Sequence, residues 1–285
     1  MTTEADLHLD DGRLLHVYDT GPADAALTVF WHHGTPNVGS PPEPLSGAAA
    51  RYGLRWVSYD RPAYGGSSPA PGRDIASAAG DVAAIAEVLE IGRFAVFGHS
   101  GGGPHALACA ALLGDRVVAA VSVSGLAPYP DGEPGAMAED EWFAGMYPGG
   151  AAELRAARRG RGALRACLEA GEFDPEMFTP EDHAELAGDW AWLAGVAGQA
   201  IAQGPDGMID DDLAYTRSWG FETGGVAAPV LLVHGTADRI VPAAHGEWLA
   251  RHIPGAELRL RAGGGHISAL REGAAALGWI AGRAR

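Results

Sequence analysis

The sequence predicts an α/β fold: a mostly parallel sheet with helices on both faces and a helical segment inserted between two of its strands. Two observations carry this. Short apolar runs alternate with helix-patterned stretches toward both ends of the chain, and the stretch 127–225 between them has no convincing strand signal. Residues 14–18, 27–31 and 54–59 read as strands closed by loops bearing Gly or Pro. A helix follows over 75–89, with Ile75, Ala79, Val82, Ala86 and Leu89 at helical spacing, Asp74 as its cap and Gly92 placed to end it in a left-handed conformation. Strands recur at 94–97, 117–121, 230–233 and 258–260, and helices at 104–113, 243–252 and 270–282. Inside the insertion, 142–143, 154–168 and 190–201 read as helical, and Pro/Gly clusters at 128–135 and 224–229 bracket it. The expected division is a core of 1–126 and 226–285 and a helical cap of 127–225.

A chain of 285 residues is long enough for one large domain. Its formal charge of −16 repels phosphate backbones and anionic lipid, so nucleic acid and membrane are poor partners and a small-molecule substrate is expected. All 20 cationic residues are Arg, which removes Schiff-base and P-loop lysine chemistry. The first residues lack a signal-peptide pattern, and no apolar run approaches the roughly 18 residues of a membrane span, so a cytoplasmic location is expected. Cys109 and Cys167 sit apart in Ala/Leu-rich stretches and read as small core residues. The histidines show no close metal spacing, and Asp210, Asp211 and Asp212 read as a solvated edge of the cap. No metal or cofactor is called for, and the choice between monomer and homodimer stays open.

Chemistry enters at Gly98-His99-Ser100-Gly101-Gly102, a G-x-S-x-G motif between a strand and a helix. Such a turn strains the serine backbone and projects its hydroxyl beside a helix N-terminus. An overlapping G-x-G-x-x-A pattern at Gly101, Gly103 and Ala106 fits a dinucleotide site less well, because Val121-Ser122-Val123 stands where the ribose-binding acid belongs. A serine nucleophile needs a base, and the base needs an orienting group. Asp238 follows the strand at 230–233 and His266 follows the strand at 258–260, giving the chain order Ser100, Asp238, His266. The N–H groups of Thr35, in His33-Gly34-Thr35-Pro36, and of Gly101 are candidate oxyanion donors. Trp142, Phe143, Met146 and Trp219 are candidate pocket residues beneath the cap, with some of them serving only as its core.

These residues, with Asp60-Arg61-Pro62-Ala63-Tyr64-Gly65-Gly66-Ser67, His234–Pro242 and Gly265-His266 in the same order, make the chain similar to the α/β-hydrolase family over nearly its whole length. The resemblance implies an eight-stranded sheet with the nucleophile elbow after the fifth strand and a cap after the sixth. Ala63 replaces a glycine of that pattern, which implies a stiffer loop. The Gly-His-Ser-Gly-Gly elbow differs from the Gly-Gly-Ser-Trp-Gly of proline-releasing aminopeptidases. The expected activity is hydrolysis of a carboxylic ester, lactone or similar acyl compound through an acyl-enzyme. Carbon–carbon bond cleavage, acyl transfer, perhydrolysis or amide hydrolysis by the same triad are alternatives, and a non-catalytic binding protein is the remotest.

Overall fold

Fully buried strands of Val, Phe, Ala and Leu line up side by side because each needs apolar cover on both faces. The computed structural model describes residues 2–130, 135 and 137–283. Its strands are β1 (Thr3–His8), β2 (Leu14–Asp19), β3 (Leu27–His32), β4 (Leu54–Tyr59), β5 (Phe94–His99), β6 (Val117–Val123), β7 (Val230–Gly235) and β8 (Glu257–Arg261). They form one eight-stranded sheet in the order β1-β2-β4-β3-β5-β6-β7-β8. Only the β1–β2 and β2–β4 pairs are antiparallel. The first strand escapes sequence reading because it is an exposed edge whose alternation is short and weak: Ala5 and Leu7 are its only apolar residues, followed by Leu9.

The helices are α1 (Ser46–Arg51), α2 (Ser77–Val88), α3 (Gly102–Leu112), α4 (Glu139–Phe143), α5 (Pro148–Arg158), α6 (Arg161–Ala170), α7 (Pro180–Leu186), α8 (Trp192–Ile201), α9 (Asp206–Tyr215), α10 (Ala243–His252) and α11 (Gly273–Ala281). Alternate strand residues enter two cores. Phe30, Val57, Val96, Ala120 and Leu232 pack with α2, α3 and α10, while Val29, Trp56, Phe97, Val121 and Val233 pack with α1 and α11.

Several boundaries differ from expectation for local reasons. Asp74 is not the N-cap of the helix after β4: that place falls to Ala76, which offers no side-chain acceptor, while Asp74 one turn ahead accepts from the Ser77 N–H at 2.8 Å. At its end the left-handed residue is Glu90 (φ 54), not Gly92. The single helix expected over 154–168 is broken at Gly160, whose φ of 104 lies outside helical space, leaving α5 and α6. Ala63 takes φ 73, so the position where the resemblance has glycine is left-handed and carries a Cβ against preference. Cys109 is buried, and Cys167 on α6 is half-buried against a small cluster that includes Ala156, Ile209 and Leu213 of α5 and α9. No helix among the described residues is long and apolar enough to cross a membrane.

The core holds neutral histidines. Burial depresses His32 to about 3, His99 to about 3 and His245 to about 4. An unfolded histidine titrates near about 6.5, so below that pH the unfolded chain binds more protons and stability falls with acidification. At about pH 5 each of the three contributes roughly 2 kcal/mol toward unfolding. Asp60, Asp81, Glu153 and Asp212, pushed up by burial, act in the opposite sense, but they are outnumbered by the buried histidines, His33, His105 and His234 among them. An acid titration followed by far-UV circular dichroism should show cooperative unfolding between about pH 4 and 6 with net proton uptake. Native ellipticity persisting to about pH 3 would contradict it.

Candidate active site

The turn from β5 into α3 is tight enough to dictate its residues. Ser100 adopts φ 54, donates its N–H to Val123 O at 2.8 Å, and accepts at its C=O from Gly103 N at 2.9 Å. A Cβ on Gly98 would lie 2.2 Å from Gly102 O, and one on Gly102 would lie 2.0 Å from His32 O. Only glycine fits at either place, and the serine hydroxyl is left at the carboxyl edge of the sheet beside the α3 N-terminus. Among the described residues, neither the Gly101 N–H nor the Thr35 N–H donates to another backbone carbonyl.

Two strands along, Asp238 follows β7. Its Oδ1 accepts from the Ile240 and Val241 N–H groups, both at 2.9 Å. Its Oδ2 lies 2.8 Å from His266 Nδ1 and 3.5 Å from His234 Nε2, while the latter donates to Val241 O at 2.7 Å. Burial alone pushes the Asp238 carboxyl up, but the facing His266 outweighs it and holds Asp238 below its ordinary range. An ionised Asp238 accepts from Nδ1–H, which leaves His266 Nε2 with a free lone pair.

The His266 backbone is held on both sides. Its C=O accepts from His99 Nε2–H at 3.3 Å and from Ser124 Oγ at 3.2 Å. Its N–H donates to Asp182 Oδ2 at 3.1 Å, and the Ile267 and Ser268 N–H groups donate to Asp182 Oδ1 at 2.9 and 2.7 Å. The His99 and His266 rings stand 5.1 Å apart, so the residue preceding Ser100 touches the imidazole expected to serve it.

The Thr35 side chain enters a buried polar network. Its Oγ1 lies 2.5 Å from Asp211 Oδ2 and 2.7 Å from Tyr215 OH. Asp211 also accepts from Arg61 Nη2 at 2.6 Å, Arg73 Nη2 at 2.6 Å and Tyr64 OH at 2.9 Å. Arg61 further donates to His33 O and Gly34 O, fixing the loop that carries Thr35. Burial pushes Asp211 up, and the Arg61 and Arg73 charges overcome it, so the carboxyl lies well below its ordinary range. A Cβ on Gly101 would lie 2.0 Å from Tyr215 OH, so α9 abuts the elbow itself.

This corrects the reading of Asp210, Asp211 and Asp212 as a solvated edge, since they are 4%, 0% and 3% exposed. Asp211 meets the two guanidinium groups, Asp210 pairs with Arg161, and Asp212 faces Glu153, where burial and that second carboxylate push it up. A run of acids on a helix conceals which guanidinium groups come from distant loops. Arg61, Arg73, Asp182 and Tyr215 received no site role from sequence. Arg61 stands in the motif after β4 that carries the resemblance, and Asp182 closes the Thr179-x-x-Asp182 capping box, in which Thr179 Oγ1 accepts from Asp182 N.

Trp142, Phe143, Met146 and Trp219 are buried together with Tyr215 in one apolar cluster. Trp142 packs edge-on against Tyr129, Phe143 and His245, and donates its indole N–H to Ala127 O at 3.0 Å. Trp219 lies against Phe221.

The alpha/beta hydrolase fold family model matches residues 28–272. A non-heme chloroperoxidase of Streptomyces lividans is 31% identical over 250 residues, covering 81% of each chain. A bifunctional esterase/perhydrolase of Acinetobacter calcoaceticus is 29% identical over 249 residues, again with 81% of each covered. Among solved structures, a bromoperoxidase from Bacillus anthracis superposes with TM-score 0.71 at 22% identity, covering 96% of this chain and 95% of that one. An enol-lactonase from Burkholderia xenovorans does so with TM-score 0.67 at 21% identity, covering 97% and 98%. The match over most of the chain and the eight-stranded sheet agree: the protein belongs to the α/β-hydrolase fold family and is a hydrolase of that family.

Proposed function

We propose that the protein is a serine hydrolase of carboxylic esters, lactones or similar acyl compounds, working through Ser100, His266 and Asp238. The carrying observation is the 2.8 Å Asp238–His266 hydrogen bond at the same sheet edge as the left-handed Ser100. Ser100 Oγ attacks the carbonyl carbon, and His266 Nε2 takes the hydroxyl proton and returns it to the leaving alcohol. Asp238 holds the tautomer that makes this possible and stabilises the imidazolium. The Thr35 and Gly101 N–H groups, left without backbone acceptors among the described residues, receive the oxyanion. Water then attacks the acyl-enzyme, with His266 acting as base once more.

The helices of 127–225 act as the cap over this edge. They bring Tyr215 against Gly101, and the apolar cluster of Trp142, Phe143, Met146 and Trp219 behind Tyr215 supports the acyl side of the pocket. A second reading is favoured by the relatives named esterase/perhydrolase and chloroperoxidase: hydrogen peroxide replaces water in deacylation and a peracid leaves. Both readings require the same acyl-enzyme. A fluorophosphonate probe should therefore label the native protein once, on the peptide containing Ser100, as read by mass spectrometry. Labelling elsewhere, or none, would remove both readings.

A further inference from the structure

We propose that Asp182, from the inserted segment, is a positioning residue for the general base: its carboxylate grips the backbone of the His266 loop and holds the imidazole in register with Asp238 and Ser100. This rests on the reading of His266 as that base.

The loop has little stiffness of its own ahead of the histidine. It leaves β8 through Gly263, Gly264 and Gly265, with Gly263 at φ 72, and three successive glycines supply the least backbone restraint of any sequence. The Gly263 and Gly265 N–H groups donate to Thr236 Oγ1 and Ser268 Oγ, but at His266 and the two residues after it the N–H groups are all taken by one side chain. Asp182 accepts from the three consecutive amides of His266, Ile267 and Ser268 at 3.1, 2.9 and 2.7 Å, using both oxygens. It is buried, and the Thr179 N–H at 3.1 Å completes its acceptor set. A Cβ on Gly265 would lie 2.0 Å from Asp182 Oδ2, so the carboxylate fills the space against the loop. The helix carrying it is itself fastened to the strand and turn flanking the loop: Glu181 pairs with Arg261 at 2.6 Å and with Arg271 at 2.7 Å, and Glu185 pairs with Arg271. Three amides converging on one carboxylate form a concave anion site, here filled by the chain's own side chain.

The experiment uses full-length protein and Asp182→Asn, which keeps the shape but turns an NH2 toward amide donors. Asp182→Ser, which presents no amide donor, is the second variant if the first cannot be purified. Thr179→Val is the control: it weakens the same capping box while leaving the carboxylate on the loop. Burst acylation by p-nitrophenyl acetate should fall by roughly 10²-fold in the Asp182 variant with KM little changed, because a displacement of about 1 Å in a catalytic group costs that much. The downfield Nδ1–H proton resonance of His266, an activity-independent report of its bond to Asp238, should broaden or vanish. Thr179→Val should lose melting temperature yet keep both signals. The proposal is overturned if the Asp182 variant acylates at the native rate with the resonance intact, or if Thr179→Val loses rate and resonance equally. Were the native protein unlabelled at Ser100, the catalytic reading would fall by itself, and the resonance alone would decide whether Asp182 positions the imidazole.

Discussion

Ser100→Ala should reduce ester turnover by roughly 10⁶-fold, to the level that binding and oxyanion stabilisation alone sustain. The substitution removes one oxygen and leaves the rest of the elbow as it was, because the position needs a small residue at φ 54 and alanine bears that strain as serine does. Folding should therefore be retained, with a melting temperature within a few degrees of the native protein. The loss should appear in kcat with little change in KM, since the hydroxyl acts on the transition state rather than on ground-state binding. The burst of nitrophenol that marks acyl-enzyme formation should vanish, and peracid formation from ester and hydrogen peroxide should vanish with it. A variant that kept more than about one part in 10³ of native turnover would show that another group carries the chemistry.

Asp211→Asn should be the most destabilising single change at the site. Asp211 is fully buried and receives two guanidinium groups, from Arg61 and Arg73, at 2.6 Å each. Asparagine keeps the shape but cancels the charge and points an amide donor at cations that have no solvent to turn to. Breaking a buried ion pair from one side costs about 3–5 kcal/mol. For a chain of this size that corresponds to a fall of about 10 °C in melting temperature. Adding Arg73→Gln should restore part of the loss, because one uncompensated cation disappears; this is a double-mutant cycle with non-additivity of known sign. Calorimetry placing Asp211→Asn within about 2 °C of the native protein would show that the network is not an energetic centre of the fold. The contribution of Asp211 is complete above the unfolded carboxylate range and is lost as pH falls through its lowered folded value, so the defect should be largest near neutrality.

The parts of the molecule legible in its sequence are those whose signal is local. Buried parallel strands announce themselves as apolar runs, and G-x-S-x-G announces a strained strand-to-helix turn because only small residues pass there. Asp238 and His266, whose side chains meet at 2.8 Å, could be singled out because each follows a recognisable strand. What could not be read depends on partners far along the chain. Asp211 looks like one of three equivalent acids until Arg61 and Arg73, more than a hundred positions away, arrive beside it. Asp182 looks like the closing member of a capping box, and its second set of partners lies beyond residue 265. The exposed β1 is hard to see for another reason: an edge strand with few apolar side chains owes most of its place to backbone pairing with β2.

Thr35 and His266 are each braced by a carboxylate or hydroxyl from the segment between β6 and β7: Asp211 and Tyr215 for the first, Asp182 for the second. That segment cannot be treated as an interchangeable attachment. A chimera grafting another family member's insertion onto this sheet would arrive without the struts for these two loops, so on the proposed reading of the site any change of insertion must carry its own replacements for Asp182, Asp211 and Tyr215.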